Sequence, residues 1–301
     1  MNLFQESENI IGFNYKNSHL PLMDFLLSKD VSTRLLKKLY RRKRIYLNDQ
    51  IYRKGLEPKE GDKIYLLLED EKPDARPEKI DFNIIYEDYD LLIINKEPFM
   101  VVHPTKSHQN NTLSNGIAYY FINNNIKKKI RFVNRLDMNT SGILIVAKNP
   151  YCHQQLALQF EKNTVRKKYK AIVEGIVEKD EDIINLPIGR EEDKSIKKVV
   201  NESGQSAITI YSVLDRLEDK SLLDVEIPTG RSHQIRVHLS HMGHPILGDS
   251  LYGNETSLIN RQALHSYYIG LKHPRTKKYI EFSAQLPNDM KDIVEQPNKD
   301  Y

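Results

Sequence analysis

The sequence predicts an α+β protein in which a small α/β unit precedes a larger domain built on a largely antiparallel, mixed sheet. Three observations carry this. From residue 80 onward, β-branched runs such as "NIIYEDYDLLIINK", "GILIVAK", "KYKAIVEG", "SAITIYSVL", "LLDVEIP" and "YIEFSAQL" recur with few long helical stretches between them, the pattern of strands outnumbering helices. Residues 32–46, "STRLLKKLYRRKRIY", hold seven Lys or Arg and no acid, with Leu35, Leu36, Leu39 and Tyr40 at helical spacing. A chain of 301 residues also exceeds the usual single domain.

In order along the chain, the basic stretch reads as an amphipathic helix that Ser32 or Thr33 caps through its hydroxyl. A short strand "RIYLN", an "EGD" turn at 60–62 and a strand "KIYLLLE" follow, closing a compact unit over residues 1–70 that is too small for much core and reads as a binding module. The charged, proline-containing "EDEKPDARPEK" at 69–79 suits a linker, and residues 80–301 form the larger domain. Within it, helical signals fall at 150–163, where Cys152, Leu156 and Phe160 are four apart, and at 231–241.

Composition narrows the function. Hydrophobic residues make up 39% and charged residues 29%, as in globular proteins rather than disordered ones. Apolar runs such as "LLII" and "ILIVA" are far too short to span a bilayer. The first residues lack the pattern of a secretory signal, so a cytoplasmic protein is expected. The lone Cys152 excludes a disulfide framework and any multi-cysteine zinc site, and reads as a small apolar residue on a helix. Net charge is only +4. The one-signed basic helix nevertheless implies an anionic partner, because solvated faces usually mix signs.

Three clusters could carry chemistry. Asp137, in "NRLDMNTSG", stands between Arg135 and a turn in which Thr140, Ser141 and Gly142 lead into an apolar strand. Nearby positive charge keeps such a carboxylate ionised, ready to act as nucleophile or base, although an Asp in a turn also serves as a structural cap. Glycine there suits a place where a side chain would clash or φ is positive. Second, "PTGRSHQIRVHLSHMGHPILGDSLYG" crowds Arg231, His233, Arg236, His238, His241 and His244 together, with Arg231, Gln234 or Ile235, and His238 near one helical face. No metal is expected there, since no acid or thiol interleaves these histidines and the arginines repel a cation; the arginines suit phosphate or an ion pair with Asp137. Third, "VRKKYKAIVEG" sets Tyr169 among Arg166, Lys167, Lys168 and Lys170, either an ordinary edge-strand tyrosine or an aromatic on which an unpaired base stacks.

These segments carry a resemblance. "FLLSKDVSTRLLKKLYRRKRIYLNDQ" with "LEPKEGDKIYLLL" (about 17–68) resembles the alpha-L RNA-binding domain shared with a ribosomal small-subunit protein. "IIYEDYDLLIINKEPFMVVHP", "NRLDMNTSGILIVAKN", "VRKKYKAIVEG", "INLPIGR", "GQSAITIY", "TGRSHQIRVHLSHMGHPILGDSLYG" and "ALHSYYIGLKHP" resemble, in order across 80–290, the ribosomal large-subunit pseudouridine synthases. The resemblance implies the fold of that family and isomerisation of uridine to pseudouridine, most readily in large-subunit ribosomal RNA, with transfer RNA the alternative. It implies no cofactor and a monomer acting on RNA. Asp137 matches the family's essential aspartate, and Arg135 the arginine that enters the space left by a flipped base. Tyr169 matches the tyrosine that packs on the uracil, and Arg236 the arginine paired with the aspartate. Thr140, Arg231, His233 and Gln234 are expected at the substrate, and Arg34, Lys37, Lys38, Arg41, Arg42, Arg44 and Lys168 on the RNA. Asn134 departs from the usual His, and Gln205 and Ser206 from the common Lys and Pro. A binding protein without catalysis would leave Asp137 and Arg236 idle; a glycosidase would need a second carboxylate, and a zinc deaminase ligand cysteines.

Overall fold

The computed structural model describes residues 7–105, 109–192 and 196–295. In its N-terminal unit, β1 (Ile10–Asn14), α1 (Leu22–Ser28), α2 (Thr33–Arg41), β2 (Ile45–Leu47), β3 (Gln50–Ile51) and β4 (Lys63–Leu67) form a four-stranded antiparallel sheet in the order β1-β4-β2-β3, covered by the two helices. β1 lies before the 17–68 stretch that carried the resemblance, and α1 had not been predicted as a separate helix. Ser32 caps α2 by accepting from the Leu35 N–H at 3.3 Å. Leu35, Leu36 and Leu39 bury the apolar face. The helix is shorter than the basic run: Lys43 takes a left-handed φ of 55° and Ile45 enters β2.

The second unit holds β5 (Asn83–Glu87), β6 (Leu91–Lys96), α3 (Leu113–Asn123), β7 (Arg131–Phe132), β8 (Ser141–Ala147), α4 (Pro150–Glu161), β9 (Arg166–Glu174), β10 (Glu181–Asn185), β11 (Ile188–Arg190), β12 (Lys198–Val200), β13 (Ile208–Arg216), β14 (Lys220–Glu226), α5 (Gln234–His241), β15 (Leu264–Lys272), β16 (Tyr279–Ser283) and α6 (Asn288–Glu295). Ten strands make one sheet in the order β10-β13-β14-β9-β15-β8-β6-β5, with β16 on β15 and β7 on β8; β11 and β12 form a separate ribbon. The pairings of the large sheet are antiparallel except β15 with β8, which is parallel. This is the mixed, largely antiparallel sheet that the sequence predicts.

β8 is buried at every position. Its alternating side chains feed two cores. Ile143, Ile145 and Ala147 pack with Cys152 and Leu156 of α4, whereas Leu144 and Val146 pack with Leu113, Ile117 and Phe121 of α3. Cys152 is thus the apolar core residue expected. The parallel seam needs Gly142: its φ is +116°, and a Cβ there would lie 2.2 Å from the Ser266 carbonyl oxygen.

Residues 69–79 form no helix or strand but are tied down. Glu69 takes ion pairs from Lys38, Arg42 and Arg44. Glu71 receives both bonds of Arg131, at 2.7 and 2.8 Å. Tyr151, at the start of α4, packs into the core of the N-terminal unit beside Phe13. Arg275 pairs with the buried Asp90 and donates to the Ile10 carbonyl.

Candidate active site

The loop between β7 and β8 presents Asp137, and its backbone is held from several sides. Thr140 N–H donates to the Asp137 carbonyl at 3.1 Å, closing the turn. The buried Lys96 donates to the Met138 carbonyl at 2.9 Å and to the Glu97 and Met100 carbonyls. Burial and the Arg261 charge pull the Lys96 ammonium down to about 7, with Asp137 opposing. Arg261, fully enclosed, reaches the Asn139 carbonyl with Nη1 at 3.3 Å while its Nε and Nη2 hold Asp289 of α6. Gln262 donates to the Thr140 hydroxyl at 3.1 Å. Asn134 bonds the β8 backbone twice, accepting from Ile145 N–H at 2.8 Å and donating to the Ile143 carbonyl at 3.1 Å, so this departure from the usual His anchors the residue next to Arg135.

Arg236 comes from α5, 99 positions along the chain, and its Nη1 donates to Asp137 Oδ2 at 2.8 Å. Its Nε and Nη2 bind Asp249 at 2.6 and 2.8 Å. Asp249 is fully buried, whereas the Asp137 side chain keeps 35% exposure. Burial works against the Arg236 charge, but the bonds to Asp249 and the two carboxylate charges outweigh it and raise the guanidinium further. The same guanidinium lies 5.0 Å from the Tyr252 ring centroid.

The helix around 231–241 begins later than predicted, at Gln234, because His233 adopts a left-handed φ of 56°. Arg231 therefore does not share a helical face with His238. It sits in the preceding loop, with Nε donating to the Ser206 carbonyl at 3.0 Å. His233 bonds the Tyr252 hydroxyl at 2.8 Å, and its Nε2 is 3.8 Å from Asp137. Burial lowers the His233 imidazole, with Asp137 opposing, so the contact is that of a neutral ring. His238 is enclosed between Thr209 and the Leu186 carbonyl. Among the described residues no cluster of three His, Cys, Asp or Glu side chains is placed to hold a metal.

Asp137 opens into a cavity of about 560 Å³ that Arg135, Lys167, Tyr169, Ile227, Arg231 and His233 also line. Tyr169 is nearly buried, and burial pushes its phenol up to about 12, so it remains protonated at neutral pH. Thr140 and Gln234 line a smaller adjoining pocket with Asp137 and Arg236, where Gln234 accepts from the Thr229 hydroxyl and Arg231 N–H and donates to the Ile208 carbonyl. Strand alternation separates the cations expected around Tyr169. Lys168 and Lys170 project from the opposite face of β9, where both pair with Asp224 at 3.1 and 3.0 Å. Arg34, Lys37, Arg41 and Arg42 are exposed on or next to α2, while Lys38 and Arg44 are half-covered at Glu69.

Sequence reasoning missed Asp249, Tyr252, Lys96 and Arg261, and named Lys167 only as one of the cations around Tyr169. The first two lay in the quoted "GDSLYG", where nothing in the local pattern marks them as partners of a residue on α5.

A cavity of this size with Asp137 its only carboxylate among the described residues, beside a unit with an exposed basic helix, suits an enzyme acting on nucleic acid. Comparison with known proteins narrows this. A family model described as RNA pseudouridylate synthase matches residues 90–241. The chain is 36% identical to the ribosomal large subunit pseudouridine synthase D of Buchnera aphidicola subsp. Schizaphis graminum (strain Sg), with 94% of this chain and 95% of that protein aligned. It is 40% identical to the protein of Bacillus subtilis (strain 168) described as uncharacterized RNA pseudouridine synthase YlyB, over 79% and 80% of the two chains. The solved structure of human RNA Pseudouridylate Synthase Domain Containing 1 aligns with a TM-score of 0.59 at 26% identity, covering 70% of this chain and 86% of that one. The chain belongs to the RNA pseudouridine synthase family, and is an isomerase acting on RNA.

Proposed function

We propose that the protein isomerises specific uridines of large-subunit ribosomal RNA after flipping them into the cavity before β8, with Asp137 as the reacting carboxylate. The observation that carries this is Asp137 held at 2.8 Å by Arg236 in a cavity that Tyr169 lines. Breaking the C1′–N1 bond gives the ribose oxocarbenium character, which an adjacent carboxylate stabilises or traps. Tyr169 packs on the extruded uracil and Arg135 fills the vacated stack, offsetting an unstacking cost of a few kcal/mol. The N-terminal unit acts as an RNA-binding domain of the alpha-L type, with the exposed cations of α2 on phosphates.

Ribosomal RNA is favoured because a relative aligned over nearly its whole length carries that substrate in its name. Transfer RNA is the second candidate, and mapping pseudouridines in both RNA classes from a deletion strain separates them. The chemistry is tested by tritium release from RNA labelled at carbon 5 of uridine. Asp137→Asn is expected to release none while RNA affinity stays within a few fold; appreciable turnover by the variant rejects the assignment.

A further inference from the structure

We propose that Lys167 is a further catalytic residue, whose ammonium group stabilises the negative charge that develops on the uracil as it leaves C1′; this rests on the reaction proposed above. Lys167 and Tyr169 are two positions apart on β9 and so share a face, the one turned toward the cavity, which both line. Same-face neighbours on a strand lie about 7 Å apart along the backbone, so the two side chains enter the cavity side by side.

The environment of this group is unlike that of the other cations nearby. Lys167 is only 7% exposed. Its Nζ donates to the Pro228 carbonyl at 3.1 Å and the Thr229 carbonyl at 3.5 Å. An ammonium has three donors, so one remains for a ligand. Among the described residues no carboxylate lies within ion-pair distance of it, whereas Arg236 is shared by two and Lys168 and Lys170 by Asp224. Gly230 lies beside Nζ, where a Cβ would sit in ordinary contact at 3.8 Å. Lys167 is thus a buried cation lining the cavity that, among the described residues, has backbone carbonyls and the Phe160 ring, 5.6 Å from Nζ, as partners but no carboxylate. Burial, with the Arg231 charge, pulls this ammonium down to about 8, as expected of a group awaiting an anion.

The chemistry supplies one. When the C1′–N1 bond breaks, its electron pair stays on the uracil and spreads over N1, O2 and O4. This holds whether Asp137 traps C1′ or first removes the C2′ proton. A charged donor aimed at one of those oxygens in a dry site lowers the barrier. When the ring turns and its C5 electron pair forms the C1′–C5 bond, the C1′–oxygen bond to Asp137 breaks, or Asp137 returns its proton to C2′ on the other route, and the ring charge is discharged; the C5 proton then leaves to water while N1 takes a proton from water. No redox partner is required.

The test is a leaving-group comparison. Wild type, Lys167→Gln and Lys167→Arg are assayed in single turnover on a substrate RNA carrying uridine or 5-fluorouridine at the target. Fluorine stabilises the departing anion, so the enzyme's own stabilisation matters less. Gln keeps an amide donor toward Pro228 and Thr229 but no charge. It is expected to slow loss of the parent nucleoside by about 100-fold on uridine and by about 10-fold or less on 5-fluorouridine. Arg is expected to restore most of the rate, and RNA affinity to stay within about threefold, because the interaction belongs to the transition state. Equal losses on the two RNAs would mean that Lys167 only braces residues 228–231, and an unchanged rate on uridine would remove it from the reaction; either overturns the proposal. A wild-type enzyme that converts neither RNA would instead overturn the reaction on which it rests.

Discussion

Replacing Asp249 by Ala should cost more stability than any change at Asp137, although both carboxylates bind the same guanidinium. Asp249 accepts from Arg236 Nε and Nη2 at 2.6 and 2.8 Å and from the Leu251 and Tyr252 N–H groups at 3.1 and 3.2 Å. It has no exposure, and Arg236 almost none. Removing it leaves a buried guanidinium with Asp137 as its single carboxylate partner and the Leu251 N–H without its acceptor, while the Tyr252 N–H keeps the residue 249 backbone carbonyl at 3.3 Å. Breaking such a pair costs about 3–5 kcal/mol, with Asp137 holding the loss toward the lower figure. In a domain of this size that is a drop of roughly 6–20 °C in Tm. Asp137, one-third exposed with one bond to Arg236, should cost about 1 kcal/mol or less on substitution by Asn. Denaturant and thermal unfolding of Asp249→Ala and Asp137→Asn, each compared with wild type, decide the matter. Losses for Asp249→Ala below about 1 kcal/mol, or equal to those of Asp137→Asn, would show that the buried pair does not organise this site.

Neutralising Arg34, Lys37 and Arg41 together to Gln should weaken RNA binding and lower the salt slope of log Kd by roughly 2 to 3, about 0.7–0.9 per lost phosphate contact; titrations over a salt series that give an unchanged slope would remove α2 from the RNA interface. The His265 imidazole is pulled by burial to about 4 from its ordinary 6.5. The unfolded chain therefore binds the extra proton between those values, so stability is full above about pH 6.5 and falls as the pH drops toward 4, by at most roughly 3 kcal/mol. His265→Gln should flatten that part of the stability profile in urea unfolding, and an unaltered profile would assign the acid sensitivity to other groups.

The periodic and compositional parts of the fold were legible in the sequence. The apolar run 143–147 gave β8, the Leu35, Leu36 and Leu39 spacing gave α2, and the Cys152, Leu156 and Phe160 spacing gave α4. β15 was not resolved as a strand, and α3 and α6 were missed as helices. α3 is apolar on nearly every side because it is buried, so it lacks the amphipathic contrast on which periodicity depends. The start of α5 was misplaced because a left-handed His233 leaves no mark in composition. At the site, Asp137 with Arg236 was foreseeable through motif resemblance. Lys168 beside Tyr169 was not a sound expectation, since adjacency in sequence means opposite faces in a strand. The enclosing groups were illegible for a general reason. Arg261 and Lys96 are charged residues that local pattern assigns to the surface, and only the tertiary fold supplies the carbonyls of residues 138 and 139 that accept from them.

The division of Arg236 explains why a buried acid accompanies the carboxylate proposed to react. A guanidinium facing a lone carboxylate takes it bidentately, tying up both oxygens. Here Asp249 occupies Nε and Nη2, so only Nη1 reaches Asp137. Among the described residues, Asp137 Oδ1 has no hydrogen-bond partner, and it faces the cavity with a rigid turn behind it. The three charged groups carry a net negative charge, so under the proposed reaction the pair would leave a field that favours a developing sugar cation. Asp249 thus orients Arg236 and at the same time limits how far Arg236 can neutralise Asp137, a half-buried carboxylate, from a position with no exposure of its own.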